Sequence, residues 1–204
     1  LDELKSALDK FDAGPLSDGA LQAVLSRGNP ASDLMIIGEG PGAQEDLLGR
    51  PFVGRAGQFL DELLDYIGLK REGVFIANMG KCRPPENRDP LPAEVSACDK
   101  YLERQIELLD PLLIVTLGRV SLARFFPGES MTRARGKVRE KNGRFIYPVM
   151  HPAAALYRQE VRPGIIEDFK AIPKVLDNIR NSSAAPTLAP AAESPPAQQL
   201  SLFE

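Results

Sequence analysis

Four short apolar runs recur along the chain, and none of them alternates between apolar and polar residues. They cover residues 34–37, 74–77, 113–117 and 145–149. Runs of this length are typical of strands that are buried on both faces of a parallel sheet. Apolar residues at helical spacing flank these runs at residues 56–68, 93–109, 119–126 and 166–180. Strands that alternate with helices predict an α/β domain, with helices on both faces of a parallel sheet.

Polar or glycine-rich residues follow the predicted strands. The first strand leads into a GEGPG turn at Gly38, the second into Asn78, the third into Gly118 and the fourth into His151. Ligands of open α/β sheets bind outside the carboxyl ends of the strands, so four such ends predict one cleft. With its carboxylates and one aromatic ring, the stretch from 38 to 57 predicts a pocket for a flat, polar ring. The alternative is a turn that needs glycine for its geometry alone.

The composition changes after Arg180. Residues 181–198 consist largely of Ala, Pro and Ser, which bury too little apolar surface to fold and predict a disordered linker. Apolar side chains return in residues 199–204. We therefore expect one folded domain over residues 1–180, a linker, and a terminal peptide that anchors in an apolar groove of a partner. A tail that folds back on its own domain is the alternative.

The bulk composition agrees with one domain and a tail. The 204 residues are 43% hydrophobic and 26% charged, which is ordinary for a soluble protein. No apolar run approaches the length that spans a bilayer, and no segment resembles a signal peptide. Two cysteines do not form a disulfide framework. We therefore expect a cytoplasmic protein that does not bind membranes.

The net charge of −3 hides an uneven distribution. Residues 70–158 carry 16 basic and 10 acidic side chains, an excess of six positive charges. The densest part has only Glu140 among six cations, which are Arg133, Arg135, Lys137, Arg139, Lys141 and Arg144. Such a run is either a solvated hairpin or loop, or a surface that faces a phosphate backbone.

Four blocks of sequence carry a resemblance to a known family. In order they are GEGPGAQED with GRPFVGRAGQ, ANMGKCRPPENRDP, IVTLGRVSL and MHPAAAL. From about Leu34 to Leu156 the chain resembles the family 4 uracil-DNA glycosylases of bacteria. The resemblance implies a three-layer α/β/α sandwich around a four-stranded parallel sheet. It also implies a base excision repair enzyme that hydrolyses the N-glycosidic bond of uracil in DNA, which releases uracil and leaves an abasic site. Such an enzyme must first extrude the base from the duplex.

The resemblance implies roles for four residues around the base. Phe52 is the stacking residue, and Gly40 leaves room for the base and offers its backbone N–H. Asn78 is the base reader, because an amide can pair with uracil O4 and N3–H together. His151 is the only histidine, and it is implied to donate a neutral imidazole N–H to uracil O2. That bond would stabilise the anionic leaving group.

Other residues of the blocks are implied in catalysis or DNA binding. A carboxylate of the first block, Glu39, Glu45 or Asp46, orients the attacking water or offsets charge on the sugar, and which one does so is open. Asn87 has a catalytic or organising role, or is a turn residue among prolines. We expect DNA contacts from a wedge loop and from the basic segment, specifically from Leu156, Tyr157, Arg158, Arg133, Arg135 and Lys137.

The chain departs from this family at the iron-sulfur site. Family 4 members usually hold a 4Fe-4S cluster on four cysteines, two of them in an N-terminal Cys-x-x-Cys. Residues 11–16 read FDAGPL at that place, whereas Cys82 and Cys98 match the second pair. Two thiolates do not complete a four-cysteine site. We therefore expect no such cluster and no other cofactor, with Phe11 filling part of its volume. Cys82 and Cys98 are then relics, buried free thiols or ligands of some other metal, and these alternatives stay open.

The end of the tail resembles the motif by which bacterial replication and repair proteins dock on the sliding clamp. The matching residues, QLSLF, include Gln199, Leu200, Leu202 and Phe203. The expected partners are therefore uracil-containing DNA and the clamp, and we expect a monomer that works at the nucleoid.

Two other classes of function compete with a glycosylase. One is a noncatalytic protein that binds uracil-DNA or abasic sites, which the retained site residues disfavour. The other is a domain that binds a small-molecule nucleotide, which the basic middle segment and the tail disfavour. No lysine stands at an obvious nucleophile position, so we do not expect strand cleavage.

Overall fold

A six-stranded mixed sheet forms the centre of the protein. The computed structural model describes residues 20–183. Its strands are β1 (Arg27–Gly28), β2 (Leu34–Gly38), β3 (Phe75–Asn78), β4 (Leu113–Leu117), β5 (Arg139–Lys141) and β6 (Arg144–Val149). Their order across the sheet is β1-β3-β2-β4-β6-β5. The four central strands are parallel, and each edge strand pairs antiparallel with its neighbour.

The four predicted strands are confirmed as the parallel centre of the sheet. The expectation of a four-stranded sheet missed the two edge strands, β1 and β5. They are two and three residues long and mostly polar, so they lack the apolar run by which a buried strand is recognised.

Seven α-helices lie within residues 20–183. They are α1 (Ala43–Leu48), α2 (Arg55–Asp65), α3 (Pro92–Leu109), α4 (Arg119–Phe125), α5 (Met131–Ala134), α6 (Ala154–Tyr157) and α7 (Arg162–Ser183). The four helical patterns correspond to α2, α3, α4 and α7. The other three helices have four to six residues, which is too short for a helical period to be read from sequence.

The last described helix extends beyond its predicted end. It continues through Ser183, so the first three residues of the predicted linker are helical. Asn181, Ser182 and Ser183 include no proline or glycine that would stop a helix. Phe11 and residues 184–204, which include the predicted clamp peptide, lie outside the described residues. Among the described helices, none has the length and apolar character that crossing a bilayer requires.

Helices cover both faces of the sheet, which confirms the three-layer architecture. Leu34 and Ile36 of β2 pack on one face with residues of α2 and α7, and Met35 and Ile37 pack on the other with residues of α3 and α4. This alternation follows from the two-residue repeat of a strand. All four side chains are at most 2% exposed, so the central strands are held from both sides. The carboxyl ends of the parallel strands are thereby fixed along one edge.

Candidate active site

A cavity of about 550 Å³ lies at the carboxyl ends of β2, β3 and β6. It brings together nine of the predicted site residues: Glu39, Gly40, Glu45, Phe52, Asn78, Asn87, His151, Leu156 and Tyr157. Three of the four predicted strand ends meet at this cleft, and the other residues come from α1, α6 and two loops. The fourth predicted end, at Gly118 after β4, does not line it. A Cβ atom at Gly40 would meet nothing within 4 Å, which leaves open space at that point.

Phe52 is held in an unusual backbone conformation. Its φ is 55°, in the left-handed region that bulky residues rarely adopt. The ring is 5% exposed and lies nearly parallel to the imidazole of His151, with centroids 5.6 Å apart and planes at 24°. A Cβ atom at Gly38 would be 2.5 Å from the ring. Phe52 is therefore a rigid apolar wall of the cavity, and it requires glycine at position 38.

Asn78 ends β3 and borders the same cavity. The residue is 2% exposed, and its Oδ1 atom has no hydrogen-bond partner among the described residues. A buried amide oxygen without a partner costs about 1–3 kcal/mol, so a ligand N–H that reached Oδ1 would remove that cost. The backbone oxygen of Asn78 accepts a hydrogen bond from Nζ of Lys81 at 2.8 Å. The strand end is thus anchored while the side-chain oxygen remains available.

The tautomer of His151 is fixed by the backbone. The N–H of Ala153 donates to Nδ1 at 3.1 Å, so Nδ1 carries no hydrogen and the ring hydrogen is on Nε2. Burial lowers the pKa of His151 to about 4, and the nearby charge of Glu45 opposes this only weakly. The imidazole is therefore neutral near pH 7 and has one N–H to donate.

The carboxylate of Glu45 is engaged by backbone amides. Its Oε1 accepts from the N–H groups of Val53 and Gly54, both at 2.8 Å, and its Oε2 accepts from the N–H of Gly42 at 3.2 Å. Because two of these amides directly follow Phe52, Glu45 holds the loop that carries the ring.

The carboxylate of Glu39 accepts fewer hydrogen bonds than that of Glu45. Its Oε1 accepts from the N–H of Val120 at the start of α4, at 3.0 Å, and burial raises its pKa. A Cβ atom at Gly118 would be 2.4 Å from the same oxygen, so glycine is needed beside it. The neighbouring Asp46 does not line the cavity, and instead accepts a hydrogen bond from the N–H of Leu21 at 2.9 Å.

Asn87 lies on the exposed rim of the cavity. Its φ is 55°, and its Oδ1 accepts a hydrogen bond from Nε of Arg83 at 2.7 Å. The backbone thus has the left-handed conformation of a turn, while the residue also borders the site. Two further residues line the cavity, of which Leu156 is partly buried and Tyr157 is 86% exposed. Arg158 follows them and is exposed, but it does not line the cavity.

The basic segment is divided between the two ends of the sheet. Its second half forms the β5–β6 hairpin, where Lys141 pairs with Arg144. That turn lies at the amino end of β6, away from the cavity. The first half lies nearer, because the N–H of Gly136 donates to the oxygen of Pro148 close to the carboxyl end of β6, at 2.9 Å.

The three predicted DNA contacts of this segment differ in their surroundings. Arg133 and Lys137 are exposed. Arg135 forms an ion pair with the buried Asp168 at 2.8 Å, and its side chain is only 30% exposed. The charge pattern predicted that Arg135 is available to bind phosphate. Its guanidinium instead pairs with Asp168 of α7 and so connects the basic segment to that helix.

Two cations at the site were not predicted from the sequence. Arg55 and Arg88 are exposed and line the cavity. Arg88 pairs with Glu94 at 2.6 Å, whereas no ion pair of Arg55 occurs within residues 20–183. Arg55 stands in the block GRPFVGRAG and Arg88 in the block PPENRDP. Because both blocks also contain predicted site residues, their arginines could have been predicted to lie at the cavity.

The two cysteines supply only half of the ligands of the family's iron-sulfur site. Cys82 and Cys98 are buried free thiols. Burial raises the pKa of Cys82 to about 11 and also raises that of Cys98. No group of three or more His, Cys, Asp or Glu residues suited to a metal ion occurs in the described part of the chain. Two thiols cannot supply the four ligands of such a cluster.

Comparison with known proteins agrees with this geometry. The family model of the uracil DNA glycosylase superfamily matches residues 25–174. The type-4 uracil-DNA glycosylase of Sulfurisphaera tokodaii is 47% identical over 161 residues, which are 74% of this chain and 73% of that protein. The type-4 enzyme of Saccharolobus solfataricus is 45% identical over 166 residues, 76% of this chain and 77% of its own. The type-4 enzyme of Thermotoga maritima is 42% identical over 166 residues, 79% of this chain and 86% of its own. The chain therefore belongs to the type-4 branch of the uracil DNA glycosylase superfamily.

Proposed function

We propose that this protein is a monofunctional uracil-DNA glycosylase of base excision repair, which hydrolyses the N-glycosidic bond of deoxyuridine in DNA. The observation that carries the proposal is the fixed tautomer of His151, in a cavity that also contains Phe52 and Asn78. A neutral N–H donor suits a carbonyl oxygen that becomes negative as the base departs. Membership of the type-4 branch supports the same substrate.

Recognition of the base follows from the walls of the cavity. Phe52 offers an apolar ring on which a flipped base stacks. The Oδ1 atom of Asn78 accepts a hydrogen bond from uracil N3–H, while the amide nitrogen donates to O4. Cytosine carries an amino donor at ring position 4 and no hydrogen on N3, so it opposes both bonds. The pair of groups thus selects uracil over the base from which it arises by deamination.

The chemistry requires that negative charge moves onto uracil. When the bond between the base and C1′ of the sugar breaks, its electron pair goes to the ring, and the Nε2–H of His151 stabilises the charge at O2 without transferring a proton. Glu39 orients the water whose oxygen then bonds to C1′. Because burial raises the pKa of Glu39, this carboxylate is suited to take up the proton that the water loses.

Strand cleavage is not part of the proposed reaction. A bifunctional glycosylase needs an amine nucleophile that forms a Schiff base with the sugar. No lysine lines the cavity within residues 20–183, and the nearby Lys81 is fully buried, with its Nζ donating to Asn78 and Gln105.

The test is incubation with a uracil-containing oligonucleotide, followed by alkali. Release of free uracil, with strand breaks only after alkali, would support the proposal. A retarded but intact complex would instead support a noncatalytic uracil-DNA binding protein, and no effect would support a domain for small-molecule nucleotides. As a matched variant, His151→Gln should bind the oligonucleotide but release uracil about 100-fold more slowly, because it lacks the aligned donor.

We further propose that the rim of the cavity contacts the duplex. Tyr157 is the more exposed of the two wedge candidates and fills the space that the flipped base leaves, while Leu156 packs at the cavity edge. Arg133, Lys137 and Arg158 contact phosphates. Tyr157→Ala should slow release from double-stranded DNA much more than from single-stranded DNA, because a single strand leaves no gap to fill.

We propose that the enzyme works without the family's 4Fe-4S cluster and without another cofactor. The support is that the chain supplies two of the four cysteines that such a cluster needs. Iron and sulfide analysis of anaerobically purified, active protein tests this, and a stoichiometric cluster would refute it.

We also propose that the monomeric enzyme is tethered to the sliding clamp in the cytoplasm, at the nucleoid. The support is the QLSLF sequence near the end of an Ala, Pro and Ser-rich segment. Deletion of residues 199–204 should abolish clamp binding and leave uracil release from short duplexes unchanged. Equal clamp affinity of the full-length and truncated chains would exclude this role.

A further inference from the structure

The guanidinium of Arg71 binds the backbone of the loop that carries Phe52. It donates to the carbonyl oxygens of Pro51 at 3.2 Å and Gly57 at 3.0 Å, and also to that of Phe52. The same guanidinium forms an ion pair with Asp61 of α2. Arg71 lies in the turn before β3, and its side chain is 20% exposed. Its donors are therefore directed into the protein, where two of the carbonyl acceptors belong to the loop that carries Phe52 and the third, Gly57, to the first turn of α2.

The peptide group after Phe52 is held at both ends. Its carbonyl oxygen accepts from Arg71, whereas its N–H, which belongs to Val53, donates to Oε1 of Glu45 at 2.8 Å. A cation and a carboxylate thus fix the plane of a single peptide. The left-handed backbone of Phe52, with φ of 55°, is a conformation that persists only where the surroundings hold it.

The close packing of the loop allows one nitrogen to bind two carbonyls. A Cβ atom at Gly57 would lie 1.9 Å from the oxygen of Phe52, so only glycine lets the two backbone segments approach this closely. Nη2 of Arg71 donates to the carbonyl oxygens of both residues. Lysine lacks the planar fork that makes such bonds, because its ammonium is a point charge on a flexible stem.

We propose that Arg71 is a positioning residue that holds the ring of Phe52 ready for uracil before DNA binds. Arg71 does not line the cavity, so it acts through the loop backbone and not on the substrate. Its kinetic consequence rests on the proposed glycosylase function. A preorganised wall of this kind raises the rate because a misplacement of about 1 Å at a reacting site costs up to roughly 100-fold.

The test compares Arg71→Gln and Arg71→Lys with Arg162→Gln. Arg162 is a matched control, because it also pairs with a carboxylate of α2, Glu62, and its guanidinium lies 4.0 Å from the ring centroid of Phe59. It makes no hydrogen bond to the loop that carries Phe52. Two measurements are made at a temperature where all variants are folded. One is hydrogen exchange of the segment 51–58, and the other is the single-turnover rate of uracil release.

We expect Arg71→Gln to increase exchange at the amides of Val53 and Gly54 and to lower the release rate roughly 10- to 100-fold per folded molecule. Arg71→Lys should restore little of the rate although it keeps the charge beside Asp61, and Arg162→Gln should change neither quantity. If Arg71→Gln does not fold, Arg71→Lys supplies the same comparison, because the retained charge still pairs with α2.

Two results would overturn the proposal. One is an Arg71 variant that matches Arg162→Gln in both measurements, and the other is faster exchange with an unchanged release rate. Absence of uracil release from the wild-type protein would refute the glycosylase function instead. The exchange comparison would then still decide whether Arg71 holds the loop.

Discussion

The close approach of Phe52 and Asn78 to the end of β2 predicts a large effect of a single methyl group. A Cβ atom at Gly38 would lie 2.4 Å from Oδ1 of Asn78 and 2.5 Å from Cζ of Phe52. Ordinary contacts between carbon atoms are about 3.5–4.0 Å. Gly38 is not among the glycines with positive φ, so alanine suits the backbone and only its methyl group perturbs the site. Gly38→Ala must therefore displace both residues by about 1 Å.

The size of the effect follows from that displacement. A shift of about 1 Å in groups that position a substrate lowers a rate about 100-fold, which corresponds to about 2.7 kcal/mol of transition-state stabilisation. Overpacking a buried site costs about 1–3 kcal/mol of unfolding free energy. That loss is smaller than the stability of a typical domain, about 5–15 kcal/mol. The variant should therefore be folded and slow.

Single-turnover uracil release and thermal unfolding together check this prediction. Gly40→Ala is the control for stability, because a Cβ atom at that position meets nothing within 4 Å, and its unfolding temperature should match that of the wild type. Gly38→Ala should unfold at a lower temperature and release uracil about 100-fold more slowly. A rate within about threefold of the wild type, less than 1 kcal/mol of barrier, would refute the reasoning. It would mean that Phe52 and Asn78 are not closely packed around Gly38.

Three further predictions concern charge. Because burial lowers the pKa of His151 to about 4, the NMR signals of this single imidazole should not titrate above about pH 5. A midpoint near the ordinary histidine value of about 6.5 would contradict a neutral donor. The stability that this neutral ring contributes is present above about pH 6.5 and is lost as the pH falls toward 4. Lys81→Met should lower the free energy of unfolding by about 1–3 kcal/mol in urea titrations, since Asn78 O and Gln105 Oε1 both lose a buried donor. Arg55→Gln should weaken DNA binding and reduce the slope of log K against log salt by about one, and an unchanged slope would mean that Arg55 contacts no phosphate.

The central fold could be predicted because its physical causes are local. A strand such as Leu113–Leu117, buried on both faces, must be apolar throughout, and α2 must repeat apolar residues at helical spacing to cover the sheet. No such requirement for apolar residues applies to the edge strands β1 and β5 or to the short helices. They form through backbone hydrogen bonds to elements that are already in place, and many sequences satisfy that requirement equally well.

Part of the cavity could also be predicted, because parallel strands end together. Asn78 ends one parallel strand and His151 follows another, so they had to meet at one edge of the sheet. The tautomers and hydrogen-bond partners of the side chains could not be predicted in this way. The tautomer of His151 depends on one bond from the amide of Ala153, and the engagement of Arg135 by Asp168 depends on the packing of α7. Such contacts join residues whose relative positions are known only once the chain is folded.

The loop around Phe52 shows that a charged residue in a cavity can act on the backbone and not on the substrate. Glu45 lines the cavity, yet its oxygens accept from three backbone amides, and Arg71 holds the same loop from the other side. Loss of activity in a Glu45 variant would therefore not identify Glu45 as a catalytic residue. Glu45→Gln keeps an oxygen that can accept from Val53 and Gly54, so it should retain more activity than Glu45→Ala. Glu39→Gln loses the charge that takes up a proton, and its rate should fall as far as that of Glu39→Ala. If Glu45→Gln is instead as slow as Glu45→Ala in single-turnover release, with the loop amides still protected from exchange, the charge of Glu45 itself contributes to the reaction.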